Sequence, residues 1–325
     1  MAAGRRGPQG SSVWPEGGPQ PPIGYLDAVG GQPLLRPSHE ALLAASQRFW
    51  SDPARLHHSG RTTDLVLSTA RAALAEFLCI PVDGCFVGSS ASDLIRAAII
   101  GLFTDRVAQG YPPKVALGAT ESMAVMAAAD AAVASQPGGE IVRIPVDDMG
   151  VVHVDACQSA TDNGVALMCV QWANAEVGST QPISVVHGIC RQARVPLFAD
   201  ATQVGGHEVI ADNWDALVAT PRDWGGPPGI AVLAVKPGIR WRPQEAPDRG
   251  WVGGFPDVPA AAAAAAAAEY ATPYWQSQAR MHRAQIDLIR NGVAEIAGVK
   301  VVGHPTNRLP HIVTLVVDDV IGEEL

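Results

Sequence analysis

The chain has 325 residues, 47% of them hydrophobic and 17% charged, which is ample for a core and fits one large α/β unit with a smaller companion. A formal net charge of −9 argues against a nucleic-acid surface, which neutralises phosphates with clustered Lys and Arg. No stretch approaches the roughly 18 strongly apolar residues of a membrane span; the longest, the alanine run 260–268, reads as a helix start after Pro259.

Met1 to Pro22 is rich in Gly, Pro, Arg and Ser and lacks the apolar segment of a signal peptide, so residues 1–24 are expected to be a disordered leader. Cys79, Cys85, Cys157, Cys169 and Cys190 form no C-x-x-C pair and several lie in apolar runs, the pattern of reduced, buried thiols in a cytoplasmic protein; no metal site is expected.

The ordered part opens at Tyr25-Leu26-Asp27. Ser38 is read as the cap of a helix to about Trp50, and the loop Asp52 to Gly60 carries His57. Apolar residues at helical spacing from Leu65 to Phe77 predict an amphipathic helix over 61–78. A strand over 85–87 then breaks into Gly88-Ser89-Ser90-Ala91-Ser92-Asp93 before a helix over about 94–103. Strand, small-residue loop and helix N-terminus form a natural phosphate cradle, and equally an ordinary helix cap.

Further strands are expected over 114–117, 141–145 and 165–170, with an edge over 151–154 and a turn at Asp147-Asp148-Met149-Gly150. Thr120-Glu121-Ser122 opens a helix to about Ser135, and another runs from Val185 to Arg191. A buried strand over 195–199 delivers Asp200, with Gln203 three residues on, to the carboxyl end where open α/β sheets keep their ligand sites. The run 216–219 delivers Thr220, Arg222 and Asp223 to the same edge. A rigid Gly225-Gly226-Pro227-Pro228-Gly229 turn leads into a strand over 230–235, and a long helix over about 259–292 precedes strands near 299–302 and 312–317.

Several of these stretches resemble the signatures of cysteine desulfurases and their class V aminotransferase relatives, enzymes dependent on pyridoxal phosphate. Asp200-Ala201-Thr202-Gln203 resembles that family's D-A-x-Q, and Thr220 to Gly229 resembles its S-x-H-K followed by a G-P-x-G turn. Asn174-Ala175-Glu176-Val177-Gly178 with Gln181-Pro182-Ile183 resembles its N-N-E-x-G-x-x-Q-P-I. The resemblance covers nearly everything from Tyr25 onward. It implies the type I fold of pyridoxal-phosphate enzymes: a mostly parallel central sheet flanked by helices, as a large domain over 25–258, with a linking helix and an incomplete α+β small domain over 259–325.

By the same resemblance, Asp200 pairs with the cofactor's ring nitrogen, a role that suits a carboxylate because it favours the protonated ring. Asn174 and Gln203 attend the ring oxygen. Ser89, Ser90, Ala91, Thr220 and Arg222 surround the phosphate, and Ser122 stands where desulfurases have a ring-stacking histidine. Asp223 occupies the place of the Schiff-base lysine, Phe255 replaces a threonine that reaches the neighbouring subunit's phosphate, and no cysteine matches the family's nucleophile. The three lysines, Lys114, Lys236 and Lys300, lie at the far ends of strands or in the small domain.

The resemblance therefore implies a homodimer with a degenerate active site. Two alternatives stand beside it: an enzyme acting on a small amino acid with pyridoxal or pyridoxamine phosphate held without a covalent bond, Asp223 serving as base, and a binding module for another anionic small molecule.

Overall fold

The structure is a computed structural model that describes residues 24–322 apart from Gln32. The predicted leader thus lies almost wholly outside the described residues. In chain order the elements are α1 (Arg36–Arg48), α2 (His58–Phe77), β1 (Cys85–Gly88), α3 (Ala91–Ala108), β2 (Lys114–Gly118), α4 (Met123–Ala134), β3 (Glu140–Ile144) and α5 (Val154–Asp162). There follow β4 (Leu167–Gln171), α6 (Ile183–Ala193), β5 (Leu197–Asp200), β6 (Ala216–Ala219), β7 (Ala231–Val235) and β8 (Trp251–Val252). The described chain ends with α7 (Val258–Ala271), α8 (Trp275–Val293), β9 (Val299–Val302) and β10 (Thr314–Val317).

Eight strands form one sheet in the order β3-β2-β4-β5-β6-β7-β1-β8, parallel throughout except for β7, which runs antiparallel to both neighbours. The central strands are apolar on both faces because helices cover both. Alternation deals their side chains to two cores: Leu197 and Ala199 face α2, α5, α6 and α7, while Phe198 faces α3 and α4. β9 and β10 pair antiparallel as a separate ribbon, joined to the large sheet's loops where Leu309 N–H donates to Gly178 O at 2.8 Å and Thr180 N–H to Asn307 O at 3.0 Å.

The alanine run forms most of α7 and is buried against α1 and α2. Side chains this small let three helices approach closely. Ser38 uses that closeness: it sits inside α1 rather than capping it, fully buried, with its hydroxyl donating to Ala263 O at 3.0 Å. The helix instead begins at Arg36 with Pro37 in its first turn, where a missing N–H costs nothing.

Two other expectations change. The long helix breaks at 272–274 into α7 and α8, where Pro273 lacks the N–H that a continuing helix would use. The 151–154 edge reduces to a bridge between Val146 and Val152, and Val154 starts α5, a helix the sequence reading passed over. Asp147 does make the predicted turn, its Oδ1 accepting from Met149 N–H at 2.8 Å and Val151 N–H at 2.9 Å.

Candidate functional site

The parallel strands all point their carboxyl ends to one edge, and β1 shares that direction because two antiparallel pairings restore it. This edge gathers Ser89 to Ala91 after β1, Thr120 to Ser122 after β2, Gln171 to Asn174 after β4, Asp200 at the end of β5, and Thr220 to Asp223 after β6. β7 runs the other way, so Lys236 emerges at the opposite edge, bonded to Asp212 Oδ1 at 2.6 Å. Lys114, at the start of β2, pairs there with Glu140 at 2.7 Å, and Lys300 pairs with Asp318 at 3.1 Å on the small ribbon. Strand direction thus keeps Lys114 and Lys236 at the edge away from Asp200, and Lys300 is held on the separate ribbon by Asp318.

Asp200 is buried and held from both sides. Ser122 Oγ–H donates to its Oδ2 at 2.9 Å, and Thr202 donates to Oδ1 through its backbone N–H at 3.0 Å and its hydroxyl at 2.7 Å. Thr220 ties the neighbouring loop to this one, its hydroxyl donating to Thr202 O at 3.1 Å. Ser122 also caps α4, accepting from Val125 N–H at 3.4 Å.

Asp223 follows in a short 3-10 turn over Pro221–Trp224, ended by Gly225 at φ 83°. A side chain on Gly225 would strike Leu35 at 2.3 Å, so only glycine fits this left-handed corner. Trp224 turns away into the core, stacked obliquely on Phe77 at 4.9 Å. Asp223 is left facing the site, its Oδ2 closed off from solvent and without a hydrogen-bond partner among the described residues. Burial pushes its pKa well above the ordinary carboxylate value; the Arg222 charge and the Thr220 hydroxyl counter this, and the Asp200 charge adds to it.

Glu121 is a third carboxyl, which sequence reasoning treated only as part of a helix opening. It is 4% exposed, its Oε1 accepts from Gln171 N–H at 2.7 Å, and its Oε2 has no partner among the described residues. Burial raises its pKa well above the usual range, Gln171 N–H lowers it, and the Asp200 charge raises it further. The floor of the site is therefore three acidic side chains, two of which the surroundings favour in the neutral form.

The remaining predicted residues separate into two groups. Asn174 is half-buried over the site's rim, but its Oδ1 serves its own loop, accepting from Glu176 N–H at 2.9 Å and Val177 N–H at 3.0 Å. Gln203 is half-buried in the turn after Asp200. Ser89 is exposed, Ala91 is the first residue of α3, and Ser90 is its cap. Ser90 Oγ accepts from Asp93 N–H at 3.1 Å and donates to Asp93 Oδ2 at 2.7 Å. Asp93 thus places a carboxylate at the positive end of α3, and Ser90-x-x-Asp93 is the sequence signal of that closed cap. His57 likewise caps α2, its Nδ1 accepting from Gly60 N–H at 3.2 Å.

The profile of class V aminotransferases matches residues 25–325. The chain belongs to this family. It is 28% identical over 307 residues to cysteine desulfurase IscS 1 of Archaeoglobus fulgidus, covering 93% of this chain and 79% of that protein. An IscS-like cysteine desulfurase of Mycobacterium tuberculosis is 28% identical over 289 residues, covering 85% of this chain and 72% of the relative. Among solved structures, a NifS-like protein superposes with a TM-score of 0.83 at 21% identity, over 92% of this chain and 83% of the other. The apo cysteine desulfurase of Thermococcus onnurineus NA1 gives 0.79 at 17% identity, over 91% and 79%. These two likenesses establish the fold.

Pyridoxal phosphate is the cofactor that membership in the class V aminotransferases implies. The residues present fit it at one end only. Asp200, fixed by two hydroxyls, suits a protonated ring nitrogen. In the position that the family resemblance gives to the Schiff-base lysine stands Asp223, a carboxyl that cannot form an imine. Where the resemblance puts the phosphate, the Ser90 hydroxyl is engaged by Asp93, whose charge opposes that of a phosphate.

Proposed function

We propose that this class V aminotransferase is a degenerate member of the desulfurase branch, one that forms no covalent bond with pyridoxal phosphate and keeps the fold for binding or assembly. The observation that carries the reading is the single acid at Asp223 combined with a strand topology that puts Lys114 and Lys236 at the opposite edge, Lys300 being paired with Asp318 on the ribbon. Asp93 at the head of α3 supports it from the phosphate side. In this reading 25–258 forms the large domain and 259–325 the small one. In the same reading the protein is a cytoplasmic homodimer, as the family resemblance implies, and Ser89, Ser90, Ala91, Ser122, Asn174, Asp200, Gln203, Thr220 and Arg222 are what remains of a cofactor pocket. No described helix is long and apolar enough to cross a membrane.

The test is to add pyridoxal phosphate, desalt, and record the visible spectrum of the parent and of Asp223→Lys. The parent is expected to emerge colourless. The variant is expected to retain the absorbance of a protein-bound Schiff base, more fully when Asp93→Ser is added. A parent that stays yellow with one cofactor per chain overturns the proposal.

One observation favours a second reading. A carboxyl that burial favours in the neutral form beside another carboxylate is the profile of a general acid or base. Pyridoxal or pyridoxamine phosphate held without a covalent bond, with Asp223 exchanging a proton with a small amino acid, fits that profile. Retained colour in the parent that is lost in Asp200→Asn would select it.

A further inference from the structure

At the edge of the sheet opposite the candidate site, the ends of α3 and α6, the turn entering β5 and the turn leaving β7 border an open cavity of about 330 Å³. Arg106, Arg191, Arg194 and Arg240 line it, with Asp105 and Asp215. Both carboxylates have neighbours of their own. Asp105, fully buried, faces Arg242 Nε at 2.7 Å and Arg240 Nε at 3.4 Å. Asp215 accepts from Leu197 N–H at 2.8 Å and faces His187 Nε2 at 3.5 Å.

Arg106 is committed as well: it lies over the Tyr111 ring at 3.4 Å, donates to Gln109 Oε1 at 2.9 Å, and donates to Arg194 O. Basic residues in the last turns of α3 and α6 also answer the negative ends of those helices. That accounts for Arg106 and Arg191, and Asp105 accounts for Arg240. It does not account for Arg194, which follows α6 and lines the same hollow, in a chain of net charge −9. The side chains of Arg191 and Arg194 make no hydrogen bond or ion pair among the described residues.

We propose that this cavity binds a small multivalent oxyanion, gripped by the guanidinium groups of Arg191 and Arg194 with Arg240 beside them. A guanidinium presents a planar fork that matches phosphate or carboxylate oxygens, and the exposed Arg191, Arg194 and Arg240 leave that fork open to a ligand from solvent. The volume lies at the small end of the range for small-molecule pockets, and admits a diphosphate or tricarboxylate rather than a polymer. The site is independent of the proposed function, since it stands at the far end of the strands that carry Asp200.

Isothermal titration calorimetry of the full chain with inorganic pyrophosphate, and separately with citrate, tests this and distinguishes phosphate from carboxylate chemistry. Saturable binding of one anion per chain is expected, weakening as salt is added. Arg191→Ala/Arg194→Ala should weaken it at least about tenfold, or about 1.4 kcal/mol. Arg143→Ala, exposed on β3, should leave it unchanged. The arginine pair also separates this cavity from any anion at the head of α3. Where the double variant fails to fold, Arg194→Gln alone is read in its place. No saturation with either anion, or equal affinity in parent and arginine variant, overturns the proposal.

Discussion

Replacing Asp223 by asparagine removes an ionisable group and leaves the side chain's shape almost unchanged. In the parent, burial raises the folded-state pKa of this carboxyl well above its ordinary 3.8. Between the unfolded and folded values the native protein keeps a proton that the unfolded chain has released. Stability from this group is therefore complete below about pH 3.8 and is lost as pH rises through the folded value. The loss runs at about 1.4 kcal/mol per pH unit for one proton. Glu121, shifted the same way by burial, contributes the same background to both proteins.

The amide in the Asp223→Asn variant cannot ionise, so that protein's stability curve lacks one proton's slope. The amide's N–H groups bring a cost of their own where they find no acceptor, about 1–3 kcal/mol, but that cost does not depend on pH. The pH dependence therefore separates the two effects. Urea unfolding followed by tryptophan fluorescence, repeated at unit steps from pH 5 to 8, measures it. The variant's stability relative to the parent should climb with pH and then level off. A difference that is flat, or that falls with pH, would mean that the carboxylate is ionised and paired with Arg222, and the account of a neutral Asp223 would be wrong.

Ser122→Ala leaves Asp200 Oδ2 without its 2.9 Å donor and removes the cap of α4, so a loss of about 1–3 kcal/mol in urea unfolding is expected; a neutral result would mean that water replaces the hydroxyl. Alkylation of the native protein near pH 8 should label Cys79, the exposed thiol, and spare Cys85 and Cys157, whose pKa values burial pushes up to about 12 and about 11; modification of Cys85 before unfolding would contradict its burial. Gly225→Ala forces a Cβ onto Leu35 at a left-handed corner, and should cost at least about 1 kcal/mol and loosen the turn that carries Asp223. Unchanged stability there would show that the corner relaxes freely.

Much of the fold was legible because strand and helix leave periodic traces. The apolar runs at 165–170, 195–199 and 216–219 identify central strands that need no polar face, and β4, β5 and β6 fall within a residue or two of them. Local capping competes with that signal, which is why α1 begins before Ser38 and α5 went unseen behind a short hydrophobic stretch. The candidate site was legible wherever a motif names its residues: Asp200, Thr220 and Asp223 do meet at one edge of the sheet.

By itself the sequence determined what is covalently possible: an acid at Asp223 cannot do the work of an amine, whatever surrounds it. It also determined the scarcity of lysine. Tertiary structure alone decided that the three lysines point to the wrong edge or the wrong unit, because strand direction depends on pairing partners far apart in the chain. It alone made Glu121 and Asp223 neighbours of Asp200, since burial and charge act through space and leave no mark on spacing. The arginine cavity arose the same way, from helix ends about 90 residues apart that close on one hollow only when the sheet is assembled.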